Sequence, residues 1–203
     1  MQITAIHQTS AGRFTVTLDN GEEFKTTLAV VSDMQLYSER ELDVNEYEAA
    51  LTASKRALTR EKAIEMLSRR AMSRAELIKK LIDKGEDEET AEYCADWLVE
   101  HSLIDEESYA EAVARHYAAK GYGAGRVRAE LSRRGIDREL WDSALAAMPE
   151  DTGKIDKFIA SRLSDTNDRD EVRRVTQALM RRGYSWDEIR CALERRKAEI
   201  YED

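Results

Sequence analysis

Eleven basic side chains stand out by their grouping: Arg69, Arg70, Arg74, Lys79 and Lys80 in one run, and Arg115, Lys120, Arg126, Arg128, Arg133 and Arg134 in another. Guanidinium and ammonium groups gathered this way bind phosphates or carboxylates, because charged donors crowded together are relieved by an anion. The grouping belongs to a wider segregation of charge. Residues 55–84 carry ten Lys or Arg against four acids, residues 85–111 eleven acids and no Lys or Arg, and residues 112–138 seven bases against two acids. Residues 139–172 then carry nine acids against four bases, and residues 173–182 four arginines and no acid. Arg133, Arg134, Arg181 and Arg182 fall where helices should end, and there each offsets the C-terminal dipole by about 0.3–1 kcal/mol. Arg115, Lys120, Arg126 and Arg128 have no such explanation and point to a binding strip.

Other chemistry finds no support. His7, His101 and His116 share no metal-binding spacing, and neither Cys-x-x-Cys nor His-Glu-x-x-His occurs. No catalytic residue, metal or cofactor is therefore expected. Gly121-Tyr-Gly-Ala-Gly125 lacks the Lys-Ser/Thr of a phosphate-cradling loop and follows a helix instead of a strand, so it reads as a helix–helix turn. Gly125 and Gly135 read as backbone necessities. Cys94 and Cys191 lie in apolar helical patterns and read as small core residues.

The elements that must carry these side chains change period along the chain. Near the start, Phe14, Val16 and Leu18 alternate with Thr15 and Thr17, the period of a strand. Asp19-Asn20-Gly21 suits a hairpin turn, Glu22–Thr27 reads as the returning strand, and Leu28–Val31 as its continuation. A hairpin alone is marginal, so it must pack on the helices or on a third strand from residues 2–8. From about Asn45 the period is helical. Leu81-Ile-Asp-Lys-Gly85, Leu131-Ser-Arg-Arg-Gly135 and Leu179-Met-Arg-Arg-Gly183 recur, each glycine suiting the left-handed residue that closes a helix.

Ser73-x-x-Glu76 and Ser185-x-x-Glu188 are capping boxes, and Asp87, Asp105, Asp137 and Asp168 are candidate caps. These marks delimit helices near 56–70, 74–84 and 88–101, then 106–119, 124–134 and 138–148, then 152–163, 169–182 and 186–200. The single proline, Pro149, closes the second set. The chain thus reads as a mainly α protein: tandem three-helix repeats in a curved, elongated array behind a small β-rich segment. The expected divisions are 1–44, 45–104, 105–149 and 150–203.

A hydrophobic fraction of 42% beside 36% charged residues supports packed cores under a solvated surface. No apolar run reaches the roughly 18 residues of a membrane span, and the first residues lack the pattern of a signal peptide, so the cytoplasm is the expected compartment. A net charge of −9 argues against indiscriminate coating of nucleic acid, though not against a local basic face. No unused apolar heptad is evident, and a monomer is expected.

Met72-Ser73-Arg-Ala-Glu76-Leu77-Ile-Lys-Lys80-Leu81-Ile-Asp-Lys-Gly85 resembles the first repeat of the RecX family of recombination regulators. Leu103-Ile-Asp105-Glu-Glu-Ser-Tyr109-Ala110-Glu-Ala-Val-Ala-Arg115, continuing through Lys120-Gly-Tyr-Gly-Ala-Gly125-Arg-Val-Arg-Ala-Glu130-Leu131 to Gly135-Ile136, is similar to that family's most recognisable element. The third repeat keeps only the Leu-x-x-x-Gly beat. The resemblance implies a cytosolic protein that binds the RecA recombinase, chiefly as its filament on single-stranded DNA, and that inhibits its ATPase and strand exchange.

On this reading the eleven basic residues meet phosphates or acidic groups of the filament. A weak direct contact with DNA is compatible with them, although the acidic net charge favours protein contact. Tyr109, Trp97, Trp141 and Trp186 read as packing residues within or between repeats. Two other functions fit helical repeats: direct DNA or RNA binding through the pairs 74–84 and 88–101, and scaffolding unrelated to recombination. Against the first, Glu86–Glu100 holds no Lys or Arg and would repel phosphates.

Overall fold

The computed structural model describes residues 1–149 and 153–202. Thr152, where a helix was expected to begin, and the division at 150 lie outside the described residues. The chain forms two compact units, divided in the sequence between Ile104 and Asp105.

The first unit opens with three antiparallel strands in the order β1 (Ile3–Ser10), β2 (Arg13–Leu18), β3 (Glu23–Thr27). Val16 lies opposite Ile6 on one side and Phe24 on the other. Gly21 takes the left-handed turn position at φ +85°, while the Asn20 side chain accepts from the Glu22 amide at 2.9 Å. Leu28–Asp33 is not a strand continuation but a short helix, α1, whose first turn is capped by the Thr27 hydroxyl. A short apolar run carries no period that separates strand from helix, and the capping threonine decides it. The chain then returns along the free edge of β1, where the Ile3 amide donates to Arg40 O at 2.9 Å and the Glu39 amide to Ile3 O at 2.7 Å.

Helix α2 runs over Val44–Arg69, 26 residues, much longer than the expected 56–70. Asp43 and Glu46 form a complete capping box at its start. This single rod serves two cores. Its first half packs Tyr47 on the cluster of Ile3, Val16, Leu18, Leu36 and Leu42, and the buried Ser54 hydroxyl donates to Thr26 Oγ1 at 2.8 Å. Its second half places Ala63, Met66 and Leu67 against Leu77, Leu81 and Leu98 of α3 (Arg74–Asp83) and α4 (Glu88–Glu100). Ser73 and Glu76 form both arms of the box that opens α3, and Asp87 caps α4.

The second unit holds α5 (Glu106–Ala119), α6 (Ala124–Arg133), α7 (Trp141–Ala146), α8 (Lys154–Ala160), α9 (Arg169–Arg181) and α10 (Trp186–Glu202). The expected helix 138–148 is a 3₁₀ turn over Arg138–Leu140 followed by α7, with Asp137 capping the turn. Asp105 caps α5 and Asp168 caps α9. One core gathers Val113, Val127, Leu131 and Ala144, and another Ile159, Leu163, Leu179 and Ile189. Trp97 and Trp141 pack against the cores of their own repeats, and Trp141 Nε1 donates to Ile136 O at 3.0 Å. Trp186 is instead 55% exposed, because it sits in the first turn of α10 and lines only a shallow depression with Leu163, Val172 and Leu193. Cys191 is exposed too: Ile189 and Ala192 face the core, and the helical period turns Cys191 away.

Gly85, Gly135 and Gly183 all adopt positive φ. Gly183 has a second duty. The Gly123 amide donates to Arg182 O and the Gly125 amide to Gly183 O, both at 2.9 Å, so the end of α9 seats directly on the start of α6. A Cβ on Gly183 would stand 2.1 Å from the Arg126 amide nitrogen, whereas one on Gly85 meets nothing within 4 Å.

Gly85→Ala should therefore cost about 1–2 kcal/mol, the strain of a left-handed alanine. Gly183→Ala should cost about 1–3 kcal/mol more from overpacking. Urea unfolding of the two variants measures the difference, and equal losses would refute the close seating of α9 on α6.

Candidate partner-binding surface

The charge segregation of the sequence is partly folded inward in the first unit. Lys55 pairs with Asp87 and Lys62 with Glu86, Arg56 reaches Glu89 at 3.5 Å, and Arg74 reaches Asp96 at 2.5 Å. Bases before residue 85 thus meet the acids after it, instead of forming a separate face. The Lys55 hydrogen bond, joined by the Thr90 amide, holds Asp87 well below the usual carboxylate range. Arg56 also lies over the Tyr93 ring at 3.8 Å and Arg60 over Trp97 at 4.7 Å, so α2 docks on α4 through stacked cations as well as ion pairs.

Of the candidates in this unit, Arg69 pairs with Glu65 one turn back at 2.6 Å, and Arg70 reaches Glu76 at 3.5 Å. Arg69 is 76% exposed, and such a pair contributes only about 0.3–0.5 kcal/mol, so a partner can take its place. Lys79 and Lys80 on α3 have no carboxylate within ion-pair distance among the described residues.

In the second unit Arg115 pairs with Glu111 at 2.9 Å across an exposed turn. Arg133 and Arg134 have an internal task. Both converge on Glu130, whose side chain is only 3% exposed: Arg133 donates at 3.0 and 2.6 Å and Arg134 at 2.8 Å. Arg134 also donates to the Tyr109 hydroxyl, which ties α6 to α5. The Arg133 hydrogen bonds, assisted by Arg134 and Tyr117 and opposed by burial, hold the Glu130 carboxyl down at about 2. Tyr109 accordingly packs within its own repeat. Arg126 and Arg128 project from the exposed side of α6 opposite Val127 and Leu131, and Lys120 is exposed at the end of α5. Among the described residues these three have no ion pair.

The eleven candidates thus divide. Lys79, Lys80, Lys120, Arg126 and Arg128 present charge outward, Arg69, Arg70 and Arg115 hold weak pairs, and Arg74, Arg133 and Arg134 help hold the helices in place. Sequence reading missed Glu130, although its signal was there: one acid placed three and four residues before two arginines in a basic run. It also missed Arg56 and Arg60, whose aromatic partners lie more than thirty residues away. Cys94 is buried, and burial pushes its thiol up to about 11, leaving it inert at neutral pH. Among the described residues no helix is long and apolar enough to cross a membrane, and no group of three His, Cys, Asp or Glu side chains is placed to hold a metal.

Family models match three stretches in order: RecX first three-helix domain at residues 60–98, RecX second three-helix domain at 105–145, and RecX third three-helix domain at 159–193. The chain is similar to the regulatory protein RecX of Vibrio campbellii, 32% identical over 138 residues that span 66% of this chain and 89% of that protein. It is 33% identical over 148 residues to the regulatory protein RecX of Pseudomonas putida, spanning 70% of this chain and 93% of the relative. Among solved structures, a crystal structure of regulatory protein RecX superposes with a TM-score of 0.75 at 26% identity, covering 93% of this chain and 98% of that one. RecX from Lactobacillus salivarius shares the fold, with a TM-score of 0.61 at 24% identity over 70% of this chain and 97% of that chain.

The depressed Glu130 carboxyl makes stability depend on pH. The drop from 4.5 to about 2 corresponds to about 3 kcal/mol at about 1.36 kcal/mol per pH unit. Because the folded-state value is the lower one, this stabilisation is present above pH 4.5 and lost as pH falls towards 2. Glu130→Gln should destabilise the chain at pH 7 by up to that amount and flatten the loss between pH 4.5 and 2. Chemical denaturation across that range tests it, and an unchanged acid profile would remove Glu130 from its anchoring role.

Proposed function

This chain belongs to the RecX family of regulatory proteins, and from that premise we propose that it regulates the RecA recombinase in DNA recombination and repair. It binds RecA chiefly as the filament on single-stranded DNA and lowers its ATPase and strand-exchange activity, with no reaction of its own. The observation that carries this reading is the match of all three family domains, in order, along one chain. Its place of action is the cytoplasm, as a monomer, and direct DNA contact is weak beside contact with the filament.

The contact surface in this reading centres on Lys79, Lys80, Lys120, Arg126 and Arg128, whose charges are not spent on internal pairs among the described residues. Arg69, Arg70 and Arg115 join by exchanging their partners, and Arg74, Arg133 and Arg134 shape the helices that carry the rest. Rim charges of this kind are individually weak and add when a partner presents acidic groups or phosphates at matching intervals. A repetitive filament meets that condition, because each protomer repeats the same surface.

RecA ATP hydrolysis on single-stranded DNA, measured with this protein well below the RecA concentration, tests the reading. Inhibition is expected from the unaltered chain. Reversing Lys79, Lys80, Arg126 and Arg128 to Glu together should weaken it about tenfold or more, with the far-ultraviolet dichroism unchanged. Arg133 and Arg134 are left out of that variant because their loss would strand the buried Glu130. No inhibition by folded protein on active RecA would remove the proposed function, and full inhibition by the variant would move the contact elsewhere.

A further inference from the structure

A groove of about 500 Å³ follows the outer side of α2 from Asn45 to Arg60 within the first unit. Its floor consists of short side chains, Ala49, Thr52 and Ala53, while Val30 and Met34 at α1 and Tyr93 of α4 stand beside it. The opening follows from the two duties of α2. Tyr47 and Ser54 turn to the sheet, and Ala63, Met66 and Leu67 to α3 and α4, so between these contacts Ala49 and Thr52 are left exposed. Apart from Arg60 and Tyr93, the lining lies ahead of residue 60, where the first family domain begins.

Charge divides this groove along its length. Asp33 and Glu48 line one end, and neither has an ion pair among the described residues. Arg56 and Arg60 line the other. Arg56 lies over the Tyr93 ring at 3.8 Å and reaches only the exposed Glu89, at 3.5 Å, while Arg60 lies over Trp97 at 4.7 Å. Ring faces orient these guanidinium groups without cancelling their charge. Glu48 is separated from Arg56 and Arg60 by about 12 and about 18 Å along the helix, at about 1.5 Å per residue. Both spans exceed the length of about 8 Å over which physiological salt screens charge. Each end therefore meets a partner on its own.

An extended segment laid here would find no backbone partners, because helices line the groove and their main-chain groups bond internally. Its own amides would stay unpaired against Val30, Met34 and the alanines. A helix brings its backbone bonds with it, and about 15 residues of helix match the run of about 22 Å from Asn45 to Arg60. We infer that the groove docks an amphipathic helix of a partner protein, lying antiparallel to α2. Carboxylates in its first turn meet Arg56 and Arg60, Lys or Arg in its last turn meets Asp33 and Glu48, and apolar side chains between them rest on Ala49 and Ala53. That charge order is the one a helix's own dipole favours, and the antiparallel direction sets its dipole favourably against that of α2. The site lies beyond the recombinase reading and does not depend on it.

Fluorescence anisotropy of a labelled, helix-stapled peptide titrated with the full chain tests the site in the absence of RecA, so its failure leaves the regulatory reading untouched. The probe has about 15 residues, with two Glu first, two Lys last, and Leu and Ala along one face. A second peptide has the same composition with the Glu and Lys ends exchanged. The first should bind at micromolar concentration and the second about tenfold more weakly. Asp33→Lys/Glu48→Lys should weaken the first peptide about tenfold. Asp83→Lys/Glu100→Lys, with the same change in net charge at exposed positions of α3 and α4, should leave it intact. Ala49→Trp, which fills the exposed floor, should block both peptides. No binding by the unaltered chain, equal binding of the two peptides, or equal loss in the two charge variants would overturn the proposal. A dimer in sedimentation that Ala49→Trp dissolves would place a second copy in the groove and would also sink the inference.

Discussion

Two main-chain hydrogen bonds, from Gly123 and Gly125 to the carbonyls of Arg182 and Gly183, hold the second unit in its form. They require backbone to approach backbone where any side chain would intervene, and only glycine at positions 123 and 183 permits it. The consequences reach the surface. Seating α9 on α6 brings Arg182 between Tyr122 and Phe158 and sets Lys154 against the end of α5. Residues about sixty positions apart thereby share one basic depression. The glycine-rich stretch serves packing between repeats.

The first unit solves a different problem. A small sheet must have its apolar face covered, and α2 helps cover it while being long enough to serve both the sheet and the helices that follow. The β-rich segment is therefore continuous in structure with the first repeat, through a shared helix and a buried Ser54–Thr26 hydrogen bond. The alternation of basic and acidic segments has its explanation here too. Much of it is internal complementarity, α2 and α3 facing α4, so linear charge maps overstate the charge left for a partner.

What remains outside is smaller and better defined. Lys79, Lys80, Lys120, Arg126 and Arg128 present charge at modest cost, because each lies on the outer side of an amphipathic helix or at its end. Arg133 and Arg134 appear equivalent to them in sequence and differ physically, since a buried carboxylate beneath them makes their charge part of the fold.

The amino-acid sequence by itself determined the local structure. Apolar period, capping residues and closing glycines are short-range effects, and they were enough to place the strands, the three repeats, the caps at Ser73, Asp87, Asp105, Asp137, Asp168 and Ser185, and the family resemblance. They did not settle Leu28–Asp33, too short to show a period, or the start of α2, because nothing local distinguishes a helix that serves one core from a helix that serves two. Only the tertiary structure decided which charges are spent and which are free. Arg56 and Arg182 acquire their roles from partners on other helices, and Trp186 and Cys191 from the side of α10 that the core leaves uncovered. Coulombic and stacking energies depend on distance in space, and a sequence records distance only along the chain.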